Sequence, residues 1–380
     1  MVAAIVEQLL SDGPSDGIKN EDSVDLLGDE DICLSFDEND ADRLSKIFEK
    51  IVENLPDLIH RMAESASVAM LRKYERDWAS WWPSTNTDLD QFRANLESRW
   101  EKGFTPLRML IELSRDIGVA FHERAARSRS SRRANFNTAL VHLHARAIQI
   151  SSEIMTLMEN GFADGAMARW RTLHEVACVA MLVHDGGEAL AKRYLAHEIV
   201  EARKGLRQYQ QCHAALGYTP FSTREAKRIE RDYDDAILQY GKDFGTDYGW
   251  AAVHLGILRP SFSQIEDAAG RAMMRSHYKM ASHNVHASTK GIAYRLGAFD
   301  RHFAGLAGRS NVGFVEPGQN LALSLLHITS LMLPRGWTAD KVALLMALTK
   351  LEERVPLALA QAERKIRRDE RRIRREAAKR

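Results

Sequence analysis

Gly161 to Val183 read GFADGAMARWRTLHEVACVAMLV, and the folding of the chain is best followed outward from this stretch. It begins with glycines and an aspartate, a composition typical of a turn. After the turn, Met167, Trp170 and Leu173 recur at intervals of three, which places their side chains on one face of a helix. The apolar segment 136–158 lies just before the turn. Two helices joined so closely are expected to form an antiparallel hairpin, with the second helix over about 166–184.

The rest of the sequence also favours helices. It contains no run in which β-branched and aromatic residues alternate between turn residues, and only nine prolines interrupt it. With 45% hydrophobic and 28% charged residues over 380 positions, the composition is that of a globular protein. We predict an all-α fold, a helical bundle with an N-terminal helical subdomain and a basic C-terminal helix.

The sequence also predicts the cellular location of the protein. No stretch reaches the roughly 18 consecutive apolar residues needed to span a bilayer. The apolar N-terminus carries Glu7 and lacks the basic region of a secretory signal. The three cysteines are odd in number and show no metal-ligand spacing, as expected for reduced thiols. We therefore predict a cytoplasmic protein that makes no membrane contact.

Charge is distributed unequally along the chain, although the net charge is only +1. Residues 7–42 hold thirteen acids and one lysine, whereas residues 364–380 hold ten Lys or Arg and three acids. The acidic end is typical of a disordered leader, and the basic end is typical of an exposed helix. The basic end can be a solvated helix terminus, a patch that contacts the phosphates of RNA, or a partner of the acidic end.

Prolines and changes in composition along the sequence predict the domain boundaries. The segment 124–133, RAARSRSSRR, is poor in large apolar residues and marks a boundary. Within the first subdomain, a kink is expected at Pro56, a helix end at Pro83 and a new helix at Thr105-Pro106. The predicted parts are an acidic, disordered leader (1–41), an N-terminal helical subdomain (42–127), a helical core domain (134–303), C-terminal helices packing on the core (304–362) and a basic helical tail (363–380).

The helix after the turn carries a group of charged residues among apolar neighbours. Arg171 and Glu175 are four residues apart and His174 lies between them, so the three side chains share one part of the helix surface. Buried charges need partners, which makes an Arg171–Glu175 ion pair between helices one interpretation. Catalysis or ligand binding is the other.

A second polar group lies at 282–288. His283 and His286 are three residues apart, with Ser288 close by. The spacing suits an acid–base or anion site, or histidines satisfied within the structure. It does not suit a metal site, because no acid lies near in the sequence. The loop with Asp247, Tyr248 and Trp250 supplies an aromatic side chain that can stack on a nucleic-acid base.

Several common catalytic and cofactor-binding motifs are absent from the sequence. There is no phosphate-binding GxxxxGK[ST] loop, no strand–GxGxxG–helix unit, no GxSxG elbow and no zinc-binding Cys–His spacing. We predict neither a bound cofactor nor a metal.

Three segments resemble bacterial helical proteins of domain-of-unknown-function family 5677. They are the quoted stretch 161–183, RYLAHEIVEARKG at 193–205 and YKMASHNVHASTKG at 278–291. The resemblance covers about 134–297. It implies a helical domain and supplies no activity.

The chain is also similar, more weakly, to the HEPN superfamily of prokaryotic toxin and antiphage systems, whose ribonucleases carry Arg, four to six residues, then His. Arg169 and His174 fit that spacing. The resemblance implies a metal-independent endoribonuclease, or an RNA-binding relative, that works as a homodimer in bacterial defence or growth control. His174 would move protons and Arg169 or Arg171 would stabilise phosphate charge. Supporting residues would be Glu175, His283, His286, Ser288 and Tyr248.

In this interpretation the basic tail holds RNA nonspecifically. Its contact residues would be Arg367, Arg368, Arg371, Arg372, Arg374 and Arg375. The alternative is a non-enzymatic all-α interaction or scaffold protein with a buried Arg–Glu–His polar network and charged ends that recruit protein partners. A third hypothesis is a small-molecule sensor in which the loop from Asp247 to Trp250 acts as a lid.

Overall fold

The computed structural model describes residues 38–127, 131–299, 305–334 and 336–379. Their fold is all-α, which confirms the predicted class, and these residues contain no strand. Nearly all of the predicted acidic leader lies outside the described residues. The helices are α1 (Glu38–Arg127), α2 (Ala134–Glu159), α3 (Ala163–Ala196), α4 (Glu198–Cys212), α5 (Thr223–Tyr240), α6 (Ala252–Leu255), α7 (Phe262–Ala268), α8 (Arg275–His283), α9 (Thr289–Ala293), α10 (Val315–Ser330) and α11 (Ala339–Ala377).

The chain divides into two compact units, Met1–Ser84 and Thr85–Arg380. The sequence places a boundary at 124–133 instead. The difference arises because the last part of α1 contributes to the core of the second unit, where Trp100, Phe104 and Leu107 are fully buried. A local composition signal does not reveal this packing. In the first unit, residues 42–84 of α1 are exposed or nearly so.

Helix α1 is continuous through Pro56, Pro83 and Pro106, so the helix end expected at Pro83 and the new start at Thr105 are wrong. A proline inside a helix removes one hydrogen bond and costs about 3 kcal/mol. For Pro106 the packing offsets this cost, since its side chain is buried beside Leu107 and Leu110. Tertiary contacts therefore override the local signal there.

The predicted antiparallel hairpin is formed by α2 and α3. The chain reverses at Gly161, whose amide donates to Met158 O at 3.0 Å and whose φ is 84°. Arg108 of α1 braces the turn: its guanidinium contacts Glu159 at 2.6 Å and Glu97 at 2.7 Å. The expected end of the second helix near 184 corresponds to a kink within α3 at Gly187.

Helices α10 and α11 pack on the second unit's core. The indole of Trp170 in α3 donates to the Ser324 hydroxyl of α10 at 3.0 Å. The indole of Trp100 in α1 donates to Asn311 O at 2.9 Å, just before α10. Both rings are fully buried. Among the described residues, no helix combines the length and apolar character required to traverse a lipid bilayer.

Candidate functional site

The first polar cluster joins α3, α7 and α8. His174 is 2% exposed, and its Nε2 lies 2.7 Å from Glu266 Oε1. Glu266 is fully buried, and its other oxygen accepts from Arg275, which also donates to Ser263 O at 2.8 Å. A carboxylate beside an arginine can only accept, so Nε2 of His174 is the donor. Three helices are thereby joined through one buried carboxylate.

Charge in this cluster is balanced without protonating the histidine. Burial lowers the pKa of His174, an effect that the bond to Glu266 partly opposes. Arg275 supplies the positive charge that the buried carboxylate requires. Cys178 lies 3.6 Å from Nε2, and burial raises the pKa of its thiol to about 12. Both side chains lie in the interior, shielded from solvent.

The second cluster lies beside the first and joins α3 to α8. Arg171 lies 3.4 Å from Glu175 on the same helix, and it donates to the Tyr278 hydroxyl at 2.8 Å. Tyr278 in turn donates to Glu175, so its hydroxyl bridges the ion pair. Burial and the neighbouring carboxylate raise the pKa of Tyr278 to about 12. The Arg171 guanidinium also stands over the Tyr278 ring, 4.8 Å from its centroid.

Arg169 does not join either cluster. It forms an ion pair with Glu153 of α2 across the hairpin. Its partner therefore lies on the preceding helix, whereas Arg171 and His174 face α7 and α8. Arg169 and His174, which fit the HEPN spacing, have different partners among the described residues.

The second predicted segment remains apart from the first. His283 contacts Ser288, 3.2 Å away, and the Ser288 hydroxyl accepts from Gly291 N to cap α9. His286 is exposed. Within the described part of the chain, no hydrogen bond, ion pair or ring contact joins these residues to Arg171 or His174. Helix α8 reaches the clusters through Arg275 and Tyr278, one or two turns earlier.

The loop at 241–251 is fastened to α3 and α4. Arg193 donates to the carbonyls of Gly249 and Trp250 at 3.3 and 3.2 Å, and His197 bonds to Thr246 O at 2.9 Å. The Trp250 ring is buried. Tyr248 is half-buried, and burial followed by the charge of Glu175 raises its pKa. These contacts hold the loop against α3 and against His197, the residue that follows α3.

Sequence reasoning missed Glu266, Arg275 and Tyr278 as members of the clusters. A signal for Glu266 exists in α7, where Phe262, Ile265 and Glu266 follow the spacing of one helix face. An acid on an otherwise apolar face indicates a buried partner. Tyr278 and Arg275 could be identified only by their neighbours in space.

Two further histidines in the second unit predict a pH dependence: His144, which is buried, and His327, which is partly buried. Burial lowers the pKa of His144 to about 4, and burial with the charge of Arg271 lowers that of His327 to about 4. In the unfolded chain both titrate near 6.5, so the unfolded state binds more protons between these values. The contribution of these two histidines to the free energy of unfolding is therefore fully present above about pH 6.5 and is lost as the pH falls towards 4.

The expected loss is at most about 1.4 kcal/mol per pH unit for each histidine. Urea denaturation at pH 7, 6 and 5 measures it. In His144→Leu the dependence of the unfolding free energy on pH should become weaker by the contribution of one histidine. An unaltered slope in His144→Leu would contradict the assignment.

A basic groove runs between α1 and α11 in the second unit. Its volume is about 630 Å³. The helices approach closely at Gly103, where an added Cβ would lie 3.3 Å from the Leu359 amide nitrogen. The cations that line the groove are Arg99, Lys102, Arg364, Lys365, Arg367, Arg368 and Arg371. Of the lining residues that the structure describes, Glu101 is the single acid.

Most of these cations have no acidic partner in the described part of the chain. Arg367 pairs with Glu363 at 2.5 Å. Among the described residues, none of the other six has a carboxylate within ion-pair distance. Of the Arg side chains predicted to contact RNA, Arg367, Arg368 and Arg371 line the groove. Beyond it, Arg374 pairs with Glu370 at 2.8 Å and Arg372 with Asp369 at 3.6 Å.

Fold and site together define an all-α protein with a buried polar network and a separate basic groove. Residues 137–303 match a family described as "Family of unknown function (DUF5677)". This match confirms the resemblance to that family over these residues, a segment that contains both polar clusters. No curated protein matches the chain, and no solved structure does.

Proposed function

We propose that the protein binds RNA through the basic groove, without cleaving it, in the bacterial cytoplasm. The observation that carries the proposal is a set of six cations on the two walls of one groove, none of which pairs with an acid among residues 38–127, 131–299, 305–334 and 336–379. Cations held together without counter-charges repel one another and attract a polyanion. An RNA backbone supplies such charges at regular intervals.

The shape of the groove favours a single strand bound by its backbone. Arg364, Arg368 and Arg371 rise along one side of α11 over about 10 Å, at 1.5 Å per residue. Arg99 and Lys102 face them from α1. The described residues that line the groove include no aromatic side chain, so contacts to phosphates predominate over stacking on bases. Binding should therefore depend little on sequence.

The polar clusters support binding without cleavage. A general base must reach the proton it removes, within about 3 Å or through one water. His174 is 2% exposed and bonded to Glu266, and it lies on α3, whereas the groove is lined by α1 and α11. In this proposal the clusters fix α3, α7 and α8, and the defence or growth-control role implied by the HEPN resemblance is exercised by binding.

The test is titration of a fluorescent single-stranded RNA with the full chain. We expect Arg364→Ala/Arg368→Ala/Arg371→Ala to weaken binding at least about 100-fold, since each lost phosphate contact forfeits counterion release. The control is Arg224→Ala/Lys227→Ala/Arg228→Ala, which removes three exposed cations from α5 and should bind like the wild type. The RNA should stay intact in EDTA.

Equal affinities for the two triple variants would refute the groove as the site. If the wild type cleaves RNA and His174→Ala does not, the proposal that the protein binds RNA without cleaving it is refuted. The endoribonuclease hypothesis would then be supported. Binding of DNA of the same sequence, measured in parallel, reports how far the 2′-hydroxyl contributes.

A non-enzymatic scaffold is the second candidate function. It is favoured by the buried Arg–Glu–His network, because such groups can hold helices in one arrangement. A scaffold predicts that RNA binding is weak and that the groove variant loses a protein partner with an acidic surface instead.

A further inference from the structure

The first unit presents an apolar helix face that nothing in the described chain covers. It comprises Leu44, Ile47, Phe48, Ile51, Val52, Leu55, Leu58, Ile59 and Met62, here called the 44–62 face. Their exposed fractions range from 43% to 64%. Isolated exposed apolar side chains are ordinary, but a contiguous patch of this size marks an interaction surface.

The pattern of this face is that of a coiled-coil seam. Leu44, Phe48, Ile51, Leu55 and Leu58 alternate at intervals of four and three, and Met62 continues the alternation. At 3.6 residues per turn the nine side chains fall within an arc of about 140°. Such an arc is wider than a strict two-position seam and suits a closely packed partner helix.

The area of the face is sufficient for a stable dimer. Nine half-exposed large side chains carry on the order of 80 Å² each, and their burial would remove about 700 Å² per partner. A standard specific interface buries about 800 Å² per partner. A helix face of this length therefore needs no additional surface to associate.

The opposite side of this helix argues against a membrane as the occupant. Between residues 44 and 62 its charged residues are Lys46, Lys50 and Arg61 against Glu49, Glu53 and Asp57. Three cations balance three acids, so anionic lipid headgroups gain no net attraction. Interfacial helices normally carry a basic polar face.

We propose that the 44–62 face binds the same face of a second copy of this chain. Knobs-into-holes packing requires a partner whose apolar residues recur with the same alternation, and an identical helix supplies it. The contact is isologous, so it closes at two copies. This inference goes beyond RNA binding, since the groove belongs to the other unit.

The experiment is sedimentation velocity of the full chain from about 0.1 to 100 µM. The wild type should be dimeric over the upper part of this range. Leu55→Glu puts a carboxylate at the centre of the face, so a dimer would bury one such carboxylate from each protomer. We therefore expect the dissociation constant of the dimer to rise at least about 100-fold. His60→Glu adds the same charge on the opposite side and should remain dimeric.

Circular dichroism and RNA titration of Leu55→Glu, both expected to match the wild type, show that the variant still folds. A wild type that is monomeric throughout the range overturns the proposal, whether another protein or residues 1–37 of the same chain occupy the face. A dimer that Leu55→Glu leaves intact overturns it as well. Cosedimentation of the wild type, but not Leu55→Glu, with neutral phosphatidylcholine vesicles would assign the face to membranes instead.

Discussion

Replacing Glu266 by leucine is expected to lower the free energy of unfolding by about 3–5 kcal/mol, the cost of leaving a buried charge without its partner. Arg275 would lose the carboxylate that neutralises it, and His174 would lose the acceptor of its Nε2 proton. Leucine is close in size to glutamate, so the loss reflects charge and hydrogen bonding more than cavity formation. Urea denaturation at pH 7 provides the measurement.

Asp267 offers a matched control on the next residue of the same helix. Its side chain is 57% exposed and lies 3.6 Å from Arg275. We expect Asp267→Leu to change stability by about 0.5 kcal/mol or less, as is usual at exposed positions. Glu266→Gln keeps an acceptor but removes the charge, and should fall between the two. A loss below about 1 kcal/mol in Glu266→Leu would show that the cluster does not hold the helices together.

Replacing Gly249 by alanine is the other change with a large expected effect, a loss of about 3 kcal/mol. An added Cβ would stand 2.3 Å from Asp243 O and 2.4 Å from Phe244 O. These are backbone atoms of the same loop, so relief requires the loop to move and its bonds to Arg193 to weaken. The melting temperature and near-ultraviolet signal of Trp250 report the change.

Gly205 in α4 serves as the control, because an added Cβ there meets nothing within 4 Å. Alanine is the better helix former by about 1 kcal/mol, so Gly205→Ala should be neutral or stabilising. If Gly249→Ala were equally well tolerated, the loop would be mobile, as expected of a lid over a ligand site.

The hairpin could be predicted from the sequence because its signals are local. The turn at Gly161 and the spacing of Met167, Trp170 and Leu173 lie within a few residues of one another. The continuity of α1 could not be predicted in the same way. Pro106 carries the local signal of a helix start, and whether a new helix begins there depends on what packs around it.

In the candidate site, too, only residues that lie near one another in the sequence could be predicted together. Arg171, His174 and Glu175 could be identified as a group because they share one helix, and Arg368 and Arg371 because they lie in one basic run. Their partners could not, since Glu266 is 92 residues from His174 along the chain. Arg99 and Lys102 become part of a groove only through the contact of α1 with α11.

The salt dependence of RNA affinity tests the central claim most directly, because it counts the phosphates that the protein neutralises. For single strands, the slope of log affinity against log salt concentration changes by about 0.7 for each contact. We predict that Arg364→Ala/Arg368→Ala/Arg371→Ala makes the slope shallower than that of the wild type by about 2. The same slope in both proteins would contradict RNA binding by the groove.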